Sequence, residues 1–455
     1  MKKQPNIIFF FSDQQRHDTL GTYNEALKKF NISPNLDTLA ENGVKFNLAF
    51  TPQPVCGPAR ACLQTGKYPT QIGCFTNGRQ LKPNEPTVAK MFNAAGYDTA
   101  YFGKWHLAAN GRPAEGEEKT SFIQKGVPEE LRGGYQYWRA SDVLEHTSHG
   151  YDGWIFDNDL NRLDFKGYRA DCITDYALEY IENRNADKPF YMFISQIEPH
   201  HQNDRNTYEG PVGSVEKFKG YPVPPDLADT KGDWRENYEN YLGCCNSLDY
   251  NVGRIVDLLK NKGVYEDTII IYTTDHSCHF RTRNGEYKRS CHDNSIHIPL
   301  IISGGKFTGG HEINNLVSLI DLPPTILECA GIDIPADFMG RSLLKLAGGD
   351  IPDSEWGDDV FTQISEAVIG RSLRTKKWKY FVAAKGNPGS DAGSDIYYEK
   401  LMYDLESDPC EKNNLAEDPS LAGVRGEMRQ RLIKHMASIG EPPVTILPAA
   451  EWTDT

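Results

Sequence analysis

The chain lacks any uninterrupted apolar stretch of the roughly 18 residues needed to cross a bilayer. It also lacks a signal-peptide core: two lysines and Gln4-Pro5-Asn6 precede only the short run Ile7 to Phe11, with no small-residue cleavage site behind it. That run reads as a first buried strand. Positive charge is scarce, 49 Lys and Arg against 63 Asp and Glu for a net −14, which argues against the basic face that nucleic acid or an anionic membrane requires. An anionic small substrate then demands a locally basic pocket. The ten cysteines (56, 62, 74, 172, 244, 245, 278, 291, 329 and 410) have neither zinc-knuckle spacing nor the density of a disulfide scaffold. They read as reduced thiols of a cytoplasmic protein, or a periplasmic one if a native leader has been removed. There is no internal repeat and no low-complexity tract.

What is present is a composition of 39% hydrophobic and 25% charged residues over 455 positions, enough for a large core and a smaller second unit. Short runs rich in Ile, Phe, Tyr and Val recur at Asn6 to Ser12, Asp98 to Gly103, Phe190 to Gln196, Thr268 to Asp275 and Ile298 to Ser303. Helical patterns fill the intervals at Ser33 to Asn42, Thr87 to Ala95, Ile173 to Arg184 and Asn246 to Lys262. The alternation predicts an α/β fold with a large, mostly parallel sheet sandwiched by helices. A Gly/Asp/Pro-rich connector at Gly348 to Gly357 divides a catalytic domain, 1–355, from a C-terminal α+β subdomain, 356–455. In the latter, strand-like segments at Val360 to Ser365, Ser372 to Thr375, Lys379 to Ala383 and Leu401 to Asp404 precede a helix around Leu421 to Ser438. The tail from Gly440 reads as irregular coil.

Reactive side chains gather where the strands end. Asp13-Gln14 follows the first, Lys104 and His106 another, Glu198-Pro199-His200 a third and Asp275-His276 a fourth. Ligands of open α/β sheets bind outside the carboxyl ends of strands, so these segments can meet in one crevice. Two carboxylates, an amide oxygen and an imidazole suit a hard divalent cation, with Ca²⁺ expected and Mg²⁺ or Mn²⁺ as alternatives. A fifth segment, Val55-Cys56-Gly57-Pro58-Ala59-Arg60, has the form Cys-x-Pro-x-Arg.

That hexapeptide resembles the modification signature of the sulfatase family, and Gly96-Tyr97-x-Thr99-x-x-x-Gly103-Lys104-Trp105-His106 matches the second signature at every specified position. The Pro-His, Asp-His and Lys288 segments follow in the family's order, as does Met402-Tyr403-Asp404-Leu405. The resemblance implies the alkaline-phosphatase-like fold and hydrolysis of a sulfate ester, with Cys56 oxidised to formylglycine by a maturation enzyme. It places the metal on Asp13, Gln14, Asp275, His276 and residue 56. It makes the hydrated aldehyde a nucleophile assisted by Arg60, forming a covalent sulfate ester, with His200 protonating the leaving alcohol. Lys104 and Lys288 neutralise the sulfuryl oxygens, and His106 removes the proton that expels sulfate. Two departures stand out: Gln14 replaces the more usual Asp, and His292-Asp293 stands where Tyr-Glu is usual. A small or oligosaccharide sulfate is the expected substrate, with Trp138, Tyr151 and Trp154 as candidates for a sugar subsite and Asn77, in an Asn-Gly turn, as a further pocket residue. The rivals are a phosphonate monoester or phosphodiester hydrolase of the same superfamily and an unmatured sulfated-glycan binding protein.

Overall fold

The strand β1 (Asn6–Ser12) is buried along its whole length. Ile7, Phe9 and Phe11 enter one apolar cluster, while Ile8 and Phe10 enter another on the opposite face of the sheet. A strand apolar on both faces needs cover on both, which is why helices flank it. The computed structural model of the chain describes residues 4–113 and 115–452, without the side chains of 353 and 354.

In chain order the large sheet continues with β2 (Val44–Phe50), β3 (Asp98–Lys104), β4 (Tyr137–Ser141), β5 (Asp152–Phe156), β6 (Arg162–Lys166), β7 (Phe190–Ser195), β8 (Thr268–Thr274), β9 (His297–Ile298), β10 (Leu300–Ser303) and β11 (His311–Ser318). The spatial order is β11-β2-β10-β8-β1-β7-β3-β4-β5-β6, with β9 paired to β2. The central run β8-β1-β7-β3-β4 is parallel throughout. Strand β10 is antiparallel to both its neighbours, and β5 and β6 form an antiparallel edge.

Two boundaries differ from the sequence expectation for clear reasons. The run from Ile298 is interrupted at Pro299, which cannot donate to a ladder, so His297–Ile298 pairs with β2 and the strand beside β8 starts at Leu300. The helix expected from Asn246 begins at Trp234, because Trp234, Tyr238, Tyr241, Leu242 and Cys245 continue its buried stripe toward the N-terminus.

A second sheet contains β12 (Asp359–Ile364), β13 (Ile369–Thr375), β14 (Trp378–Ala384), β15 (Ile396–Asp404) and β16 (Thr445–Leu447). The first four are antiparallel. The tail is not all coil: Thr445–Leu447 pairs parallel with β15, satisfying backbone groups at that edge. Helix Ala422–Ser438 buries Met428, Leu432 and Met436 against Leu373, Tyr380 and Val382 in a cluster that also holds Cys62 and Tyr68. The second sheet therefore supports the helix that carries Cys56. A buried ionic link does the same elsewhere: Asp293 meets Lys379 at 2.5 Å and Arg374 at 3.0 Å, and Glu411 meets Lys379 at 2.9 Å. Asp293, one half of the departure noted in the sequence, thus ties the second sheet to the segment beyond Lys288.

Candidate active site

Because β8, β1, β7 and β3 are adjacent and parallel, their carboxyl ends share one edge. Asp13-Gln14, Asp275-His276, Lys104 and the Glu198 to His200 segment all leave from that edge. Cys56 comes from the other direction, as the first residue of a helix, Cys56–Thr65, in which every residue is buried. Arg60 lies four residues on, one helical turn away on the same face.

The Cys56 Sγ lies 2.9 Å from Lys288 Nζ, 3.3 Å from His276 Nε2 and 3.5 Å from Asp13 Oδ1. His106 and His200 reach the same thiol. Burial alone would raise the thiol pKa, but Lys104, Lys288 and His276 outweigh it and pull the group well below the ordinary range. Arg60 donates to Asp13 Oδ2 at 3.0 Å, to Ser195 Oγ at 2.6 Å and to the Lys104 carbonyl at 3.0 Å, and its Nε is 3.4 Å from Asp275 Oδ2. Lys104 Nζ meets Asp13 Oδ2 at 2.8 Å and Glu145 Oε1 at 3.0 Å. An ammonium has three protons, so one remains for a ligand. All six residues expected in catalysis, Cys56, Arg60, Lys104, His106, His200 and Lys288, meet here.

The chemistry of the donor set fits a divalent cation. Among the described residues, Asp13, Cys56, Asp275 and His276 present ligand atoms all within 4.8 Å of one another. Burial and the neighbouring Asp13 push Asp275 up to about 6, as expected of like charges held together out of water. Asp13 feels burial and Cys56 in the same direction, but Lys104, His200 and Arg60 outweigh them and hold it below the usual carboxylate range. His276 Nδ1 faces the Ser277 carbonyl at 2.9 Å, which orients the ring with Nε2 toward Asp13 and Asp275 at 3.7 and 3.5 Å. Gln14 sits at a φ of 67°, which turns its side chain off the strand line, and its Nε2 donates to Tyr208 Oη at 3.0 Å. Its Oε1 is buried with no partner among the described residues, the state of a carbonyl awaiting a hard cation.

His200 Nδ1 lies 2.6 Å from the His201 carbonyl, leaving Nε2 to accept from Lys288 Nζ at 3.3 Å. Burial and then Lys288 depress its pKa. The His201 ring instead packs at a tilt against Tyr287. Asn77 Oδ1 accepts the Gly57 N–H at 2.9 Å, fixing the start of the Cys56 helix. The roles of three supporting carboxylates were not legible in sequence. Glu145 pairs with Lys104; Asp142 accepts from the Ala108 and Ala109 N–H groups, while its carbonyl accepts from the His106 N–H; and Glu198 binds Arg169 at 2.9 Å beneath the Pro-His turn. The aromatic candidates divide. Trp138 is completely buried against Tyr101 and is packing, Tyr151 is exposed beside Tyr168, and Trp154 lines a cavity next to Glu145.

Residues 5–332 match the family model described as Sulfatase, and residues 285–438 match that of the N-sulphoglucosamine sulphohydrolase C-terminal region. An ulvan-active sulfatase of Formosa agariphila is 28% identical over 456 residues, covering 96% of this chain and 82% of that protein. An N-acetylglucosamine-6-O-sulfatase of Bacteroides thetaiotaomicron is 24% identical over 508 residues, covering 94% and 86%. The structure of BT4656 in complex with its substrate D-glucosamine-2-N,6-O-disulfate shares the fold at a TM-score of 0.75 and 23% identity, over 96% and 98% of the two chains. With the large mixed sheet of the alkaline-phosphatase-like fold and a family match over most of its length, the chain belongs to the sulfatase family and is a sulfuric ester hydrolase.

Proposed function

We propose that this sulfatase releases sulfate from a sulfated saccharide, with residue 56 matured to formylglycine by a generating enzyme and a divalent cation held by Asp13, Gln14, Asp275 and His276. The observation that carries the proposal is the meeting of the Cys56 thiol with Lys288, His276 and Asp13 within 3.5 Å at the head of a buried helix. Once matured and loaded, residue 56 supplies a hydrated-aldehyde hydroxyl as nucleophile and the cation, expected to be Ca²⁺, supplies charge beside it.

The remaining work falls to the chain. Lys104 and Lys288 neutralise the sulfuryl oxygens from buried positions, where fixed charges act strongly. Arg60 fixes the two metal-binding carboxylates through its contacts with Asp13 and Asp275. As the S–O bond to the leaving group breaks, a protonated His200, its Nε2 3.3 Å from Lys288 Nζ, delivers its proton to the alcohol oxygen. The His106 imidazole, its backbone held by Asp142, then takes the proton that lets sulfate depart. The three buried cations Arg60, Lys104 and Lys288 balance Asp13, Asp275 and Glu145, so a bound divalent ion gives the centre the positive excess that a sulfate ester needs.

The relatives named for ulvan and N-acetylglucosamine support a saccharide as the alcohol. The net acidity supports the absence of a nucleic-acid partner, and ten free thiols support a reducing, cytoplasmic compartment. The test uses protein coexpressed with a formylglycine-generating enzyme, with maturation verified by the mass of the residue 56 peptide. Inorganic sulfate release from 4-nitrophenyl sulfate is compared with cleavage of bis(4-nitrophenyl) phosphate. Sulfate release that disappears in Cys56→Ala and on chelation is the expected result. Preferential phosphodiester cleavage would instead assign the site to the phosphonate monoester or phosphodiester reaction.

A further inference from the structure

Gln14 puts an amide where a carboxylate is more usual, and the two groups differ in a respect that matters to a cation. A carboxylate has two equivalent oxygens, so either end can bind a metal. An amide has an oxygen that binds and an NH₂ that repels, so its orientation must be fixed by its neighbours. The Gln14 backbone is held on both sides: its N–H donates to Asp275 Oδ1 at 3.1 Å, and its carbonyl accepts from Tyr241 Oη at 2.7 Å. Tyr241 Oη accepts the Arg16 N–H in turn, at 2.8 Å.

At the end of the side chain, Nε2 donates to Tyr208 Oη at 3.0 Å and to Cys278 Sγ at 3.7 Å. An amide NH₂ has two protons, and here each has an acceptor. Tyr208 Oη and Cys278 Sγ lie 3.3 Å apart, so the hydroxyl proton has a partner of its own and the oxygen keeps lone pairs for Gln14. That leaves the buried Oε1 without a hydrogen-bond partner among the described residues.

The clamp is itself fixed. The Tyr208 ring packs edge-on against His201, Tyr241 and Tyr287, with centroids 5.3, 5.3 and 5.8 Å away, and at a tilt against Phe280. Cys278 stands two residues after His276, so the segment that supplies the imidazole also supplies one half of the clamp. Both side chains are buried.

We propose that Tyr208 and Cys278 are positioning residues of the cation site: by taking both protons of the Gln14 amide they present its oxygen to the divalent ion. They let a neutral residue serve where a carboxylate would need no orienting partner. The inference rests on the cation reading above.

The test is Ca²⁺ titrated by calorimetry into matured protein freed of metal by chelation. Wild type and Tyr208→Phe are compared, each alone and combined with Gln14→Ala or Gln14→Glu. Phenylalanine keeps the packed ring and removes only the hydroxyl. In the wild-type background Tyr208→Phe is expected to weaken Ca²⁺ binding by about tenfold or more, the usual effect of losing a group that orients a metal ligand. With Gln14→Ala there is no amide to orient, and the same substitution is expected to change the affinity by about twofold or less. With Gln14→Glu the two oxygens are equivalent, and the loss is expected to shrink as well. Cys278→Ser retains an acceptor and is expected to bind more tightly than Cys278→Ala, a comparison that serves if Tyr208→Phe fails to fold.

A merely structural hydroxyl would lower the melting temperature of the metal-free protein and alter the affinity equally in all three backgrounds. Equal affinities of wild type and Tyr208→Phe, the same fold-loss in all three backgrounds, or equal binding by Cys278→Ser and Cys278→Ala overturns the inference and leaves the cation reading standing. Wild-type protein that binds none of Ca²⁺, Mg²⁺ and Mn²⁺ overturns the cation reading, and this inference with it.

Discussion

Replacing Arg60 with methionine tests whether the guanidinium and the divalent cation serve the same two carboxylates. The side chain is buried and makes four polar contacts, but their loss is unequal. The Lys104 carbonyl still accepts from Ser195 Oγ at 2.7 Å and Tyr101 Oη at 2.6 Å, so nothing there is orphaned. The damage falls on Asp13 and Asp275, which lose the nearest positive charge on one side. Removing one partner of a buried ion pair costs about 3–5 kcal/mol. The methionine fills a similar volume and adds no polar group, so most of that cost is electrostatic. In metal-free protein, urea unfolding is therefore expected to show a loss of about 3–5 kcal/mol, smaller at acid pH because Asp275 then takes a proton. A saturating divalent cation supplies the missing charge and is expected to recover half or more of the loss, so it stabilises the variant more than the wild type. Arg60→Lys recovers only part, since an ammonium lacks the planar fork that spans Asp13, Asp275 and Ser195. A penalty below about 1 kcal/mol, or one unchanged by the cation, would refute the shared-carboxylate reasoning.

Asn77→Ala leaves the Gly57 N–H without its acceptor inside a buried helix start, and a loss of about 1–3 kcal/mol is expected in thermal or urea unfolding. Asn77→Asp keeps an acceptor and places a negative charge at the helix N-terminus, so its stability is expected to stay within about 1 kcal/mol of wild type; equal losses in both variants would exclude the capping role. Asp249 accepts from the Leu36 N–H at 2.8 Å and Asn35 Nδ2 at 2.9 Å, and burial pushes it up to about 6. Its folded pKa lies above the unfolded value near ~3.9, so the stability it contributes is complete below that value and is lost as pH rises through about 6, a change of roughly 2–3 kcal/mol. Asp249→Asn has no such proton to lose, and its melting temperature should rise relative to wild type between about pH 4.5 and 8; a pH-independent difference would contradict the assignment.

The amino-acid order by itself determined the family, the α/β class and the strand-end positions of the reactive residues. Those features are local: a signature occupies consecutive positions, and a strand apolar at every residue declares that both its faces are covered, as β1 does. It also singled out Gln14 and Asp293 as departures. Only the tertiary structure decided what those departures do. Gln14 keeps a buried carbonyl without a hydrogen-bond partner among the described residues while its backbone N–H donates to Asp275 Oδ1, and Asp293 ties the second sheet to the first. The short pairing of Thr445–Leu447 with β15 and the interruption at Pro299 depend on which edge lies nearby, information that no local window contains. Trp138 and Trp154 are the same residue type in the same stretch, yet one is core and the other lines a cavity, because burial is set by neighbours distant in the chain. Glu145 belongs to no signature. Its meaning comes from a partner 41 positions away, and charge pairs of that kind exist only once the chain has closed on itself.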